Sequence, residues 1–186
     1  LAAENANFAG PPPVTIRRGR VNGVILLDPA GTWVRGSLSA RGLRRGGLTI
    51  ASIEAQANLR GGSGQVTANL TGNRGRDFVA RIDAAVSPDL IRLAGSGTVD
   101  GKPIRLTRPA VLTREEDGWR LAPAALSFGG GNASLSGRLG GSATEVQARL
   151  EQMPLTVLDI AWPELGLGGI ASGTLNYRAP GDGTEP

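Results

Sequence analysis

Apolar and polar residues alternate through most of the chain. In "FVARIDAAV", Phe78, Ala80, Ile82, Ala84 and Val86 fall on one side of an extended backbone, and Val79, Arg81, Asp83 and Ala85 on the other. "IEAQANL" sets Ile53, Ala55, Ala57 and Leu59 against Glu54, Gln56 and Asn58. "QVTANLTG" continues with Val66, Ala68 and Leu70, and "EVQARLE" puts Val146, Ala148 and Leu150 opposite Glu145, Gln147, Arg149 and Glu151. A period of two belongs to strands with one buried and one solvated face, as in antiparallel sheets. Turn-forming residues separate the runs at Gly61–Gly64, Asn73–Gly75, Ser87–Asp89, Asp100–Pro103, Glu116–Gly118 and Gly129–Asn132. Strand plus turn recurs about every 8–12 residues, the spacing of an all-β meander. One short helix is expected near 154–161. There Pro154 opens a turn, Leu155, Leu158 and Trp162 share a face, and Pro163 stops it.

The strand pattern is unusually poor in bulk. "DGWRLAPAALSFGGGNASLSGRLGG" alternates as a strand does, yet consists mostly of Gly, Ala and Ser, whereas strands favour β-branched and aromatic residues. Small residues recur on the apolar side: Ala55, Ala57, Ala68, Ala80, Ala84, Ala133, Gly137 and Ala148. Aromatic residues make up only 4% of the chain, too few for the bulky anchors of a filled β-sandwich. Small inward residues leave volume, and glycine lets a strand bend. The expected fold is therefore all-β: an elongated, curled antiparallel meander with an apolar interior, suited to a long apolar ligand. The string Ser-Gly-x-Leu/Val occurs three times, at Ser96-Gly97-Thr98-Val99, Ser136-Gly137-Arg138-Leu139 and Ser172-Gly173-Thr174-Leu175. Its spacing near 40 residues points to an array of β-units.

Composition narrows the chemistry. The 186 residues include no Cys and no His, which removes disulfides, thiol nucleophiles, imidazole bases and Cys/His metal sites. Basic residues number 20 and acidic 16, and Lys102 is the only lysine. A net +4 spread along the chain is a weak argument for nucleic acid. "GLRRGG" and "LRGG" lack the interleaved aromatics of an RNA-binding segment. "GSGTVDG" lacks the spacing of a phosphate-binding loop. The one tight acidic cluster, Glu115-Glu116-Asp117, precedes Gly118 and reads as a polar hairpin turn. No enzyme, cofactor or metal site is expected.

"DGWRLAPAALSFGGGNASLSGRLGG", followed by "TEVQARLEQMPLTVLDIAWPELGLGGIASGTLNYR", resembles the TamB family, the inner-membrane-anchored subunit of the bacterial translocation and assembly module. The residues in the family's places are Trp119-Arg120-Leu121, Leu135-Ser136-Gly137-Arg138-Leu139, Pro154-Leu155, Leu158, Pro163, Leu165 and Ser172-Gly173-Thr174-Leu175. The match is clearest over 77–178. Residues 1–76 agree in texture, and 179–186 read as a tail. AsmA-like proteins share the style. The resemblance implies an interior segment of a longer periplasmic protein, a β-sheet curled into a taco-like groove similar to bridge-like lipid-transfer proteins. It implies roles in phospholipid transport to the outer membrane. It also implies, with an outer-membrane TamA-like partner, assembly of outer-membrane proteins and autotransporters. The anchor and the partner-binding region are expected outside this chain.

The expected lining of the lipid groove is Phe78, Ile82, Val86, Ile91, Leu93, Leu106, Trp119, Leu121, Leu126, Phe128, Leu135, Leu139, Val146 and Leu150. The expected partners are phospholipid acyl chains and neighbouring β-units of the same chain. Arg81, Arg92 and Arg105 could meet phosphates at a rim, or simply be solvated. Two other readings stand beside the conduit. One is a scaffold for outer-membrane protein assembly, acting by strand addition at an open sheet edge. The other is a β-solenoid or sandwich of a surface adhesin, with a filled core.

Overall fold

A computed structural model of the chain describes residues 1–9, 13–28, 31–140, 143–160 and 166–180. Thirteen strands follow one another: β1 (Ala2–Phe8), β2 (Val14–Leu26), β3 (Trp33–Arg45), β4 (Leu48–Arg60), β5 (Ser63–Asn73), β6 (Asp77–Val86) and β7 (Leu90–Val99). They continue as β8 (Lys102–Arg108), β9 (Ala110–Glu115), β10 (Gly118–Phe128), β11 (Gly131–Leu139), β12 (Ala143–Pro154) and β13 (Ile170–Pro180). Every pairing is antiparallel, in one sheet, and except for β8 and β9 every strand lies beside its sequence neighbours. Each of the six turn clusters in the sequence closes a hairpin. The expected short helix is a single 3-10 segment, Leu155–Ile160. The side chain of Leu158, together with Trp162, Pro163, Leu165 and the tail beyond 180, lies outside the described residues.

β8 and β9 share one place in the sheet. β7 pairs with β8 through Ser96–Val99 and with β9 through Leu90–Leu93, and β10 does likewise from its other side. Pro109, which has no N–H for the ladder, separates the two short strands. The β10 bulge between Leu121 and Ala124, which contains Pro123, lies at the same level. The sheet therefore has twelve strand positions. At about 4.8 Å between neighbours it extends roughly 50 Å across the strands.

The sheet is curled as well as long. In the Ser-Gly-x-Leu/Val strings, a Cβ at Gly97 would fall onto the carbonyl oxygen of Val79, and one at Gly137 onto that of Glu145. Gly173 has φ +152, which side chains rarely adopt. The repeated glycine thus answers local backbone demands that differ from copy to copy: neighbouring backbone leaves no room for a side chain at Gly97 and Gly137, whereas Gly173 has open space and an unusual φ. It does not mark a unit boundary. Three strand positions are crossed from Gly97 to Gly137 but only two from Gly137 to Gly173, so the array of β-units expected from the spacing is instead one uninterrupted meander.

A second device was not foreseen from sequence. Ladder pairing skips Asn5, Arg17, Gly42 and Ala51, which lie side by side across β1–β4. Asn5 and Gly42 have φ 48 and 65. This aligned crease shifts the pleat by one residue in four strands together, so Ile16 and Gly19, Ala40 and Leu43, and Ile50 and Ile53 keep to one face.

Gly97→Val is expected to destabilise by about 2–3 kcal/mol, as overpacking does. For a chain of this size that lowers the thermal midpoint roughly 5–10 °C. Gly47, with nothing within 4 Å of an added Cβ, is the control: Gly47→Ala should leave the midpoint in place. Thermal circular dichroism at the β-sheet band measures both.

Candidate functional site

Residues paired across antiparallel strands point to the same side, so the register assigns every side chain to a face. One row runs Val21, Leu38, Ala55, Ala68, Ile82 and Gly95 across β2–β7. It continues through Leu106, Leu126, Ala133, Leu150 and Gly173. A parallel row runs Ile25, Val34, Leu59, Gly64, Val86, Ile91, Leu112, Leu121, Gly137, Val146 and Tyr177. Within the paired registers, charged side chains reach this face only at strand ends, as Arg45, Lys102 and Arg114. The opposite face is polar: one of its rows reads Arg20, Ser39, Glu54, Asn69, Arg81, Ser96, Arg105, Ser127, Asn132 and Glu151.

All fourteen residues expected to line a groove lie on the apolar face. Phe78, Ile82 and Val86 come from β6, and Ile91 and Leu93 from β7. Leu106 comes from β8, and Trp119, Leu121, Leu126 and Phe128 from β10. Leu135 and Leu139 come from β11, and Val146 and Leu150 from β12. The eight small residues singled out in the sequence share this face. Arg81, Arg92 and Arg105 do not: the two-residue period puts them on the polar side.

Burial on the apolar face is uneven. Every fully buried hydrophobic residue is on it, and the largest, Phe128 and Met153, are each 1% exposed. Val99, Phe128, Ala133 and Met153 form a cluster with Phe78, Ile104, Leu126, Leu150 and Val157 of the 3-10 segment packed around it. No second sheet crosses this face among the described residues, so curvature and the 3-10 segment together create the cluster. Farther along, the same face stands open. Val21, Ile25, Leu38 and Ile82 remain exposed, Ile25 at 66%. The architecture is that of a single open sheet, not the sandwich or solenoid expected under the adhesin reading.

A depression of about 1120 Å³ lies elsewhere, over β2–β5. It is lined mainly by polar-face residues, including Asn22, Arg35, Gln56, Asn58, Arg60 and Gln65. It lacks the apolar enclosure that would hold a hydrocarbon, and we place the candidate site on the apolar face instead.

No family model, curated protein or solved structure matches this chain. The site is therefore described by its own geometry. Among the described residues, no helix is long and apolar enough to cross a membrane, and no three His, Cys, Asp or Glu side chains come together as metal ligands.

Hairpin turns form two rims along the sheet, and their charges differ. One rim carries Arg44 and Arg45 between β3 and β4, Arg74, Arg76 and Asp77 between β5 and β6, and Asp100 and Lys102 between β7 and β8. The other carries Asp28, Arg60, Asp89, Arg114 and the Glu115-Glu116-Asp117 hairpin. Glu115 pairs with Arg120 and Arg138 on the polar face. On the first rim Asp100 holds two turns together: Arg76 Nη1 donates to Oδ2 at 2.8 Å and the Asp77 amide to Oδ1 at 3.2 Å. The Arg76 hydrogen bond, reinforced by the Asp77 amide and the charges of Arg76 and Lys102, lowers the Asp100 pKa below its ordinary 3.8.

Two outcomes follow from this distribution. Phe128→Ala should cost about 3–5 kcal/mol, a cavity in the one packed region, whereas Ile25→Ala should change little; denaturant titration compares them. A lowered folded-state pKa stabilises above the unfolded value, and that contribution is lost as pH falls below 3.8. The Asp100 carboxyl should titrate below 3.8 by carbon-13 NMR and move upward in Arg76→Ala.

Proposed function

We propose that the chain is a segment of a lipid conduit whose apolar face carries phospholipid acyl chains. One observation supports this most: a roughly 50 Å run of strands with a continuous apolar face that no second sheet covers among the described residues and that stands open at Val21, Ile25 and Leu38. An open apolar patch of that size on a protein calls for an occupant. Each methylene taken from water contributes about 0.8 kcal/mol, so a 16-carbon chain gains on the order of 10 kcal/mol without any polar recognition. The small residues leave space for it, and the scarcity of bulky anchors in the open half favours sliding over tight capture.

The resemblance to the TamB family extends this reading. On it, the chain is part of the periplasmic region of an inner-membrane-anchored envelope protein, carries phospholipid between inner and outer membranes and supports outer-membrane biogenesis. Its outer-membrane TamA-like partner would be met through regions outside this chain. The strand-addition scaffold remains the second reading, and β13 favours it. That strand pairs with β12 and, among the described residues, with no other strand, leaving an edge on which a client strand could add.

The lining test uses the purified chain and native mass spectrometry. Phospholipid should co-purify, and Ile82→Arg or Leu93→Asp should remove most of it while the β-type circular dichroism persists. A lipid-free chain after exposure to phospholipid vesicles would sink the conduit reading. Crosslinks from β13 to unfolded outer-membrane proteins would favour the scaffold.

A further inference from the structure

We propose that the conduit is polarised across its width, taking anionic phospholipids with their headgroups along the Arg45–Lys102 rim. This rests on the lipid reading above and adds the headgroup class and its position. Cations stand at three successive turns of that rim, two strand spacings or roughly 10 Å apart. They are Arg45 between β3 and β4, Arg74 between β5 and β6, and Lys102 at the start of β8. Arg45 and Lys102 project on the apolar side, since they pair with Leu48 and Val99 of that face. A chain lying against Leu48 or Val99 would thus bring its headgroup to a cation.

The charges at this rim are available. Among the described residues neither Arg45 nor Lys102 has an acidic partner within ion-pair distance, and both are exposed. The Asp100 carboxylate is taken up by Arg76 and the Asp77 amide. Across the groove the balance reverses. Arg114, among the described residues the one cation on the apolar side there, precedes Glu116 and Asp117 of the turn, and its amide bonds the carbonyl of Asp89. A phosphate is attracted at one rim and repelled at the other, so the two edges of the groove are not equivalent. The apolar face supplies affinity for chains of either headgroup class, and the basic rim supplies the preference.

The test uses the purified 186-residue chain and vesicles of equal parts phosphatidylglycerol and phosphatidylcholine. Protein-bound lipid is recovered and both the total and the ratio are measured. The wild type should be enriched in phosphatidylglycerol roughly fivefold, the effect of one surface cation engaged. Arg45→Glu/Lys102→Glu should bring the ratio to that of the vesicles, with total bound lipid unchanged. Arg149→Glu/Arg178→Glu removes the same formal charge from the polar face and should leave the enrichment intact. Should the rim variant fold poorly, the wild type in about 1 M salt, where screening extends only about 3 Å, should lose the preference and keep the lipid. Lipid bound without preference, or an equal loss in both double variants, would overturn the rim proposal and leave the conduit standing. No bound lipid of either class would overturn both.

Discussion

The structure depends on how one sheet buries its apolar side without a second layer. A domain ordinarily packs two layers around a core. Here a single sheet must supply burial from its own curvature, and curvature is limited by Cβ atoms meeting neighbouring backbones. Glycine at Gly97 and Gly137 removes that limit where the strands crowd. The crease through Asn5, Arg17, Gly42 and Ala51 bends the first four strands together. The result is packed around Phe128 and Met153 and open around Ile25 and Leu38. Stability and vacancy occupy different parts of the same face.

The two-residue period made the face legible. It needs only that each residue's parity be preserved from turn to turn, and the six turn signals kept the count. All fourteen expected lining residues share a side: the hairpins keep the parity, and in β10 the bulge between Leu121 and Ala124 brings Trp119 and Leu121 to the same face as Leu126 and Phe128. The bulges were harder to see, though a sign was present. Ile50 and Ile53, Leu121 and Ala124, and Leu150 and Met153 are three apart, and at each the ladder slips by one residue. A spacing of three between strand apolar residues is the trace of a bulge, easily taken for a gap in the pattern. The repeat near 40 residues misled in a related way. Its glycines answer local needs, crowding at Gly97 and Gly137 and a positive φ at Gly173, which arise without a structural unit recurring.

What the sequence concealed was the distribution of charge. Nineteen arginines scattered along a chain suggest no pattern. Folding sorts them by strand parity and by distance from a turn. Mid-strand arginines such as Arg81, Arg92 and Arg105 go to the polar face because they alternate with apolar neighbours. A residue at the end of a strand can share the apolar side's parity and still keep its charge in water at the rim, as Arg45 and Lys102 do. A rim is thus the place where a hydrocarbon surface and an unburied charge can be adjacent without the desolvation cost that mid-face charge would incur.

That adjacency bears on how a conduit could favour one lipid without stopping it. Hydrocarbon burial accumulates along the whole acyl chain and changes little when a lipid advances by one strand over the open part of the face, where the apolar rows continue from strand to strand. A rim charge acts at the headgroup alone, in contact with water, where each contact is worth little and is screened by salt. Spaced at successive turns of the rim, such contacts can be exchanged one for the next. Selection at the rim and passage along the face then draw on separate interactions, so strengthening one need not slow the other. A charge within the apolar rows would instead couple them, and the registers of this sheet contain none away from the strand ends.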